Sequence, residues 1–390
     1  VKLYPWSIRF GIAVVLLAGM VTIVRSQPEG AAVPLDMIWS RPVPNLMALA
    51  VSPEGDRALA VDQDHVVRSF DERGTPRWER PVPGADTVAL GRRGSLCMAY
   101  ASRHPLFREV YFFDDAGQRV GVLRCPDMVS TAAVAPDGRF AAVACGKTVF
   151  FCSRKPNGFK FRPVSLPGQA RQLQFGPGDT VYASCQDPQC VELVKSTGKV
   201  LWRRKNFSVT SCSISASEDG KWLALGSQRP RHWVEVALVN FRNERQWAAA
   251  RPGRAPRVRL SAAGNAVMLA YEHKVEHEAE SRFERRLAYL VGGEAPGTVL
   301  EAWTKGGAYT APLSLSLERQ GEWAVALDTQ QDGPWGNRLP SFRLYGRSGE
   351  RRWIYNSPTG ILLAVSSCEG RHIAAYRSDG VIELLRVLEP

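Results

Sequence analysis

The sequence predicts an all-β fold assembled from eight repeats, and three observations carry that prediction. The first is a phrase that returns eight times: an apolar pair, a small turn ending in Gly, then an apolar run, as in LAVSPEGDRALAV at 49–61 and AAVAPDGRFAAVAC at 132–145. The second is its period. The turn glycines Gly55, Gly94, Gly138, Gly178, Gly220, Gly264, Gly321 and Gly370 lie 39 to 57 residues apart, five of the seven gaps being 44 or less. The third is composition: 34 Gly and 26 Pro suit a chain that turns about every ten residues. Short strands recurring about every 40–45 residues are the mark of a β-propeller, one blade per repeat. The fold class is therefore an eight-bladed β-propeller closed by an N-terminal outer strand and preceded by one N-terminal membrane helix.

The elements follow in order. Lys2 and Arg9 precede an uncharged apolar run from Phe10 to Val24, and Arg25 closes it. Counted from Pro5 with Arg9 snorkelling, the run reaches about the twenty residues that a membrane span needs. No small-residue cleavage site follows, so the reading favours an uncleaved signal anchor over a cleaved signal peptide at 1–25. Two positive charges before the run and one after it place the body outside the membrane, periplasmic or at the cell surface. A first residue of Val is compatible with a GTG start codon and points to a bacterial source. Residues 26–36, SQPEGAAVPLD, read as an extended linker of roughly 30 Å, and 37–390 as the propeller.

Within each repeat the Gly-turn phrase is an inner hairpin, followed by a third strand, a turn and an outer strand that often contains Trp. The first repeat shows all four: 49–61, VVRSFD at 66–71, the turn ERGT, and PRWER at 76–80. The eighth ends at VIELLRVL, 381–388, with no outer strand, whereas MIWSRPV at 37–43 has one to spare. Pairing the two closes the ring and removes both exposed edges.

The two faces of such a ring are unequal. The inner-hairpin turns and the turns before the outer strands are tight, whereas the other connections carry the length: 101–109, 227–233, 271–286 and 328–340. Long loops on a rigid scaffold are where recognition resides. Here they are basic or aromatic, with Arg103, His104, Arg229, Arg231, His232, Arg254, Trp335 and Arg338 as the candidate interaction residues. The formal charge of +12, of which residues 1–30 contribute 3 − 1 = +2, attracts acidic protein, anionic lipid, wall polymers or nucleic acid without discriminating among them. Export argues against nucleic acid, and an acidic protein partner fits.

Catalytic and metal patterns are sparse. His273-Lys-Val-Glu276-His277 spells H-x-x-E-H, but zinc binding by that motif needs a helix, and this segment continues a strand into a long charged hairpin. Asp328, Asp332 and Gly333 lack calcium-loop spacing. No nucleophile elbow or phosphate loop occurs, so no catalytic residue, metal or cofactor is assigned. Eight cysteines form no CxxC. Cys185 and Cys190 flank a four-residue hairpin mouth and form a candidate disulfide, with Cys145 and Cys152 a second candidate.

The run Ser196-Thr197-Gly198-Lys199-Val200-Leu201-Trp202, with the same Gly-to-Trp spacing at Gly74/Trp78 and Gly349/Trp353, resembles the tryptophan-docking repeat of quinoprotein-type (PQQ-like) eight-bladed propellers. Gly121, Arg162 and Glu301 stand where three further tryptophans are expected, and the SPEG and APDG hairpins look more like WD40-type repeats. The resemblance implies that the tryptophans pack between blades. It also implies a family containing both quinone-cofactor dehydrogenases and non-catalytic scaffolds. The dehydrogenases would need adjacent cysteines, and this chain has none. The expectation is a non-enzymatic, membrane-anchored interaction scaffold; the alternatives are a polyanion- or glycan-binding module and a quinoprotein-like oxidoreductase.

Overall fold

The computed structural model of the protein describes residues 35–388, apart from 156–157, 187–188, 206–211, 277–280, 293–298, 307–314, 318, 330–339, 348–350, 356, 358 and 368–369. The expected anchor at 1–25 lies outside the described residues; no helix among those described is long and apolar enough to cross a membrane.

The described residues form eight four-stranded antiparallel sheets. In the first complete repeat these are β2 (Leu46–Val51), β3 (Ala58–Asp62), β4 (Val66–Phe70) and β5 (Pro76–Pro81), hydrogen-bonded in that order. The N-terminal strand β1 (Leu35–Pro42) is the outer strand of the sheet made by the last three strands, running from Leu35 opposite Val387 to Pro42 opposite Val381. First strands of successive sheets touch one another: β2 meets β6 (Thr87–Leu90), which meets β10 (Val129–Val134), then β14 (Gln169–Phe175), β18 (Cys212–Ala216), β22 (Arg254–Leu260) and β26 (Leu315–Leu317). The last sheet's β30 (Ile361–Ser366) returns to β2. The sheets therefore form a closed ring.

Second strands differ from the period-two pattern of a half-exposed sheet. All five residues of β3 are buried, as are five of the six in β11 (Phe140–Cys145). A strand sandwiched between two neighbouring sheets buries both faces, so it reads as a continuous run of small and apolar residues such as ALAV and AAVAC.

The tryptophans latch neighbouring sheets. Trp78, on an outer strand, lies over Gly117 in the next sheet's tight turn and donates Nε1–H to the Asp115 carbonyl at 3.2 Å. Trp202 does the same to the Phe241 carbonyl at 2.7 Å, and Trp39 of β1 lies over Gly74. A Cβ on Gly117 would meet Trp78 Cγ at 2.4 Å, and φ there is +73°, so both space and conformation require glycine. Where the tryptophan is missing at Gly121, Phe159 of the next sheet fills the space and stacks on Phe112 with centroids 4.7 Å apart.

Candidate functional site

The long connections gather at one end of the strands, as antiparallel order requires of every link between second and third strands. Between β7 (Cys97–Tyr100) and β8 (Glu109–Phe113) the 101–108 loop is held from below by Asp86. Its carboxylate accepts the Ser102 N–H at 2.7 Å and the Arg103 N–H at 2.9 Å. His104 packs against Phe107, centroids 4.9 Å apart, and Phe107 lies on Gly84 of the neighbouring connection, where a Cβ would clash at 2.2 Å. So anchored, the loop presents Leu106, 81% exposed, beside Phe107 and the guanidinium of Arg103, which pairs with no acid among the described residues.

On the same face, β19 (Trp222–Arg229) and β20 (Trp233–Asn240) meet in a tight tip where Arg231 and His232 both adopt positive φ. Trp233 stands 45% exposed beside them, and Arg231 projects to solvent. Leu362, at the start of β30, adds a fourth exposed apolar side chain on this face.

Two of the expected cations are not free. Arg229 is paired with Glu235, and Arg254 donates to Glu272 at 2.7 Å. Each of these two meets an acid from the adjacent strand, a pairing that linear reading does not reveal. Trp335 and Arg338 lie outside the described residues. The H-x-x-E-H segment from His273 to Glu276 belongs to an 11-residue strand, β23 (Ala266–Glu276), as expected, and His273 Nδ1 faces the Pro252 carbonyl at 3.0 Å. Residues 271–276 and 281–286 extend the sheet, because β24 (Ser281–Gly292) pairs with β23 up to Glu276 opposite Ser281.

The expected Cys185–Cys190 disulfide is corrected. The two residues face each other across the hairpin, yet both are buried free thiols. Their mutual hydrogen bond, together with burial, pushes the Cys185 thiol far up. Cys145 is bonded instead to Cys125, with Cα atoms 6.2 Å apart, and Cys152 is a buried free thiol. Cys125 lies in the connection leading into β10, whose Val129 stands opposite Cys145, so the pairing of β10 with β11 brings the two together. Burial also raises the Cys97 thiol to about 12.

One site escaped the sequence reading. A cavity of about 370 Å³ occupies the axis of the ring, and every sheet contributes to its wall. Next to the tight turns, one inner-strand residue per sheet forms a collar, from Val51 and Leu90 through Phe175 to Leu260 and Leu317, apolar in all sheets but the last, where it is Ser366. Beyond the collar, at the turn mouth, Arg92 pairs with Glu54 and reaches Glu218 at 3.3 Å, and Arg319 reaches Glu218 at 2.9 Å. These four turns belong to the first, second, fifth and seventh repeats, so the ion pairs cross the axis. One row toward the long loops, the position two residues before each turn is Ala50, Ala89 and Ala133 in the first three repeats, then Gln174, Ser215 and Arg259. That switch from small to polar at one repeat position was the available signal.

No family model matches the sequence, and no curated protein does. Solved structures do. The Dos1 propeller superposes with a TM-score of 0.65 at 10% identity, over 91% of this chain and 96% of that one. The β-propeller domain of Myceliophteria thermophila Cps50 (Swd1) gives 0.55 at 11% identity, over 91% of this chain and 100% of that one. The fold is a β-propeller. At such identities the likeness extends to architecture, and function rests on the propeller's own surfaces.

Proposed function

We propose that the protein is a non-enzymatic, eight-bladed propeller scaffold, tethered by residues 1–25 to a bacterial cell membrane with its ring on the extracytoplasmic side, and that it binds a partner protein through its long-loop face. The observation that carries this reading is the composition of that face: Leu106, Phe107, Trp233 and Leu362 exposed beside Arg103 and Arg231, neither paired with an acid among the described residues. Aromatic and arginine side chains on a rigid support are the residue types that dominate binding energy at protein interfaces. These two guanidiniums favour acidic groups on the partner. Pairing of Arg229 and Arg254 with carboxylates weighs against a general polyanion binder, which needs its cations unpaired.

The test is a pull-down from detergent-solubilised membranes with the full chain, comparing wild type with Leu106→Asp/Trp233→Ala. A specific partner retained by wild type and by Arg139→Ala on the tight-turn face, but lost by the loop variant, supports the reading. Equal capture by all three overturns it. Loss of membrane sedimentation on deleting residues 1–25 is the matching expectation for the tether.

A further inference from the structure

Arg259 projects into the axial cavity without a counter-charge. Among the described residues no hydrogen bond or ion pair reaches its guanidinium, and burial, with the like charge of Arg257 behind it, pushes its pKa below the ordinary arginine value. Gln174, two inner strands away at the same level, is half-buried and also without a hydrogen-bond partner among the described residues. Ser215, between them, already accepts the Leu260 N–H at 3.0 Å. The acid in the same wall, Glu218, is held by Arg92 and Arg319 and does not neutralise Arg259. A half-buried guanidinium without a counter-charge and an idle amide facing one cavity are the donors that an anion bound there would use.

The rest of the cavity defines what that is. Ala133 takes little room in the wall next to Gln174, and the collar around Phe175 and Leu260 offers apolar wall on the turn side. The volume of about 370 Å³ lies in the range of small-molecule sites. A guanidinium fork matches a planar carboxylate in two parallel hydrogen bonds, and an amide N–H₂ adds a third donor. We propose that the axial cavity binds a small monocarboxylate with an apolar body, its carboxylate held by Arg259 and Gln174 and its hydrocarbon by the collar.

Calorimetric titration of the full-length protein with octanoate tests this, with acetate, octanamide and inorganic phosphate as comparison probes. Octanoate should bind at one site, and acetate and octanamide each at least about tenfold more weakly. Arg259→Gln should weaken octanoate by a similar factor while melting no lower than wild type, since the arginine makes no structural contact. Arg103→Gln on the outer face should bind as wild type does. Equal octanoate binding by wild type and Arg259→Gln overturns the proposal, as does octanamide binding as tightly as octanoate. Acetate matching octanoate would remove the apolar body, and Arg259-dependent phosphate binding without octanoate binding would replace the carboxylate; either overturns the proposed ligand class. A lower melting temperature for Arg259→Gln would make the arginine structural and has the same consequence.

Discussion

Truncating Trp78 to alanine and adding a methyl group at Gly117 test the latch between neighbouring sheets as a pair. Trp78 is 6% exposed, packs against Phe113 with centroids 5.5 Å apart and donates to Asp115 O. Trp78→Ala should therefore cost about 3–5 kcal/mol for the lost side chain and its cavity, the hydrogen bond contributing about 1 of that order. Gly117→Ala carries two separate penalties. Holding alanine at φ +73° costs about 1–2 kcal/mol, and a Cβ 2.4 Å from Trp78 Cγ adds about 1–3 kcal/mol of overpacking. In the double variant the indole is gone, so the second penalty disappears while the first remains. The double should thus be less destabilised than the sum of the singles by about 1–3 kcal/mol, the overpacking term alone. Urea denaturation of all four proteins, followed by tryptophan-independent far-UV dichroism, reads this directly. Additive losses would refute the latch, because they would mean that Gly117 and Trp78 do not share the contact. A double variant that recovers to the Trp78→Ala value would refute the conformational part.

Two further outcomes follow from buried charge. Glu192 is fully buried against Arg203, which itself reaches water, so Arg203→Leu should cost about 3 kcal/mol by stranding the carboxylate, and Glu192→Leu/Arg203→Leu should recover most of it; urea midpoints of the three proteins check both. His372 has its pKa lowered from 6.5 by burial first and by Arg386 second. The unfolded state thus takes up the proton more readily than the folded one, and stability present above pH 6.5 is lost as the pH falls through the lower folded value. His372→Gln should flatten that decline between about pH 7 and 5, and an unchanged slope would assign it to other groups.

Much of the fold was legible because its signals are local. The tight turns require glycine within a few residues of the strands they join, and Gly55 and Gly138 both adopt positive φ. The apolar run after each turn marks a second strand, and the sheets on both sides bury AAVAC whole. The spare strand near the N-terminus was visible as a surplus in one repeat matching a deficit in another. The candidate site was legible only in part. Arg103 and His104 could be placed on the long-loop face from chain order, but the partners Glu235 and Glu272 of Arg229 and Arg254 depend on which strands lie side by side and in what register.

By itself the sequence determined the repeat, its four-strand unit, the inequality of the two faces and the strand that completes the last sheet. All of these follow from side-chain period and turn chemistry within about fifty residues. Only the tertiary structure decided which cations are neutralised, which cysteines meet, and that Arg92 and Glu218, 126 residues apart, cross the axis to each other. It also decided that Arg259 lines the cavity without a counter-charge among the described residues. The first two depend on which strands pair and in what register, and the contact of Arg92 with Glu218 joins different repeats at a distance set by closure of the ring. No local pattern encodes that closure.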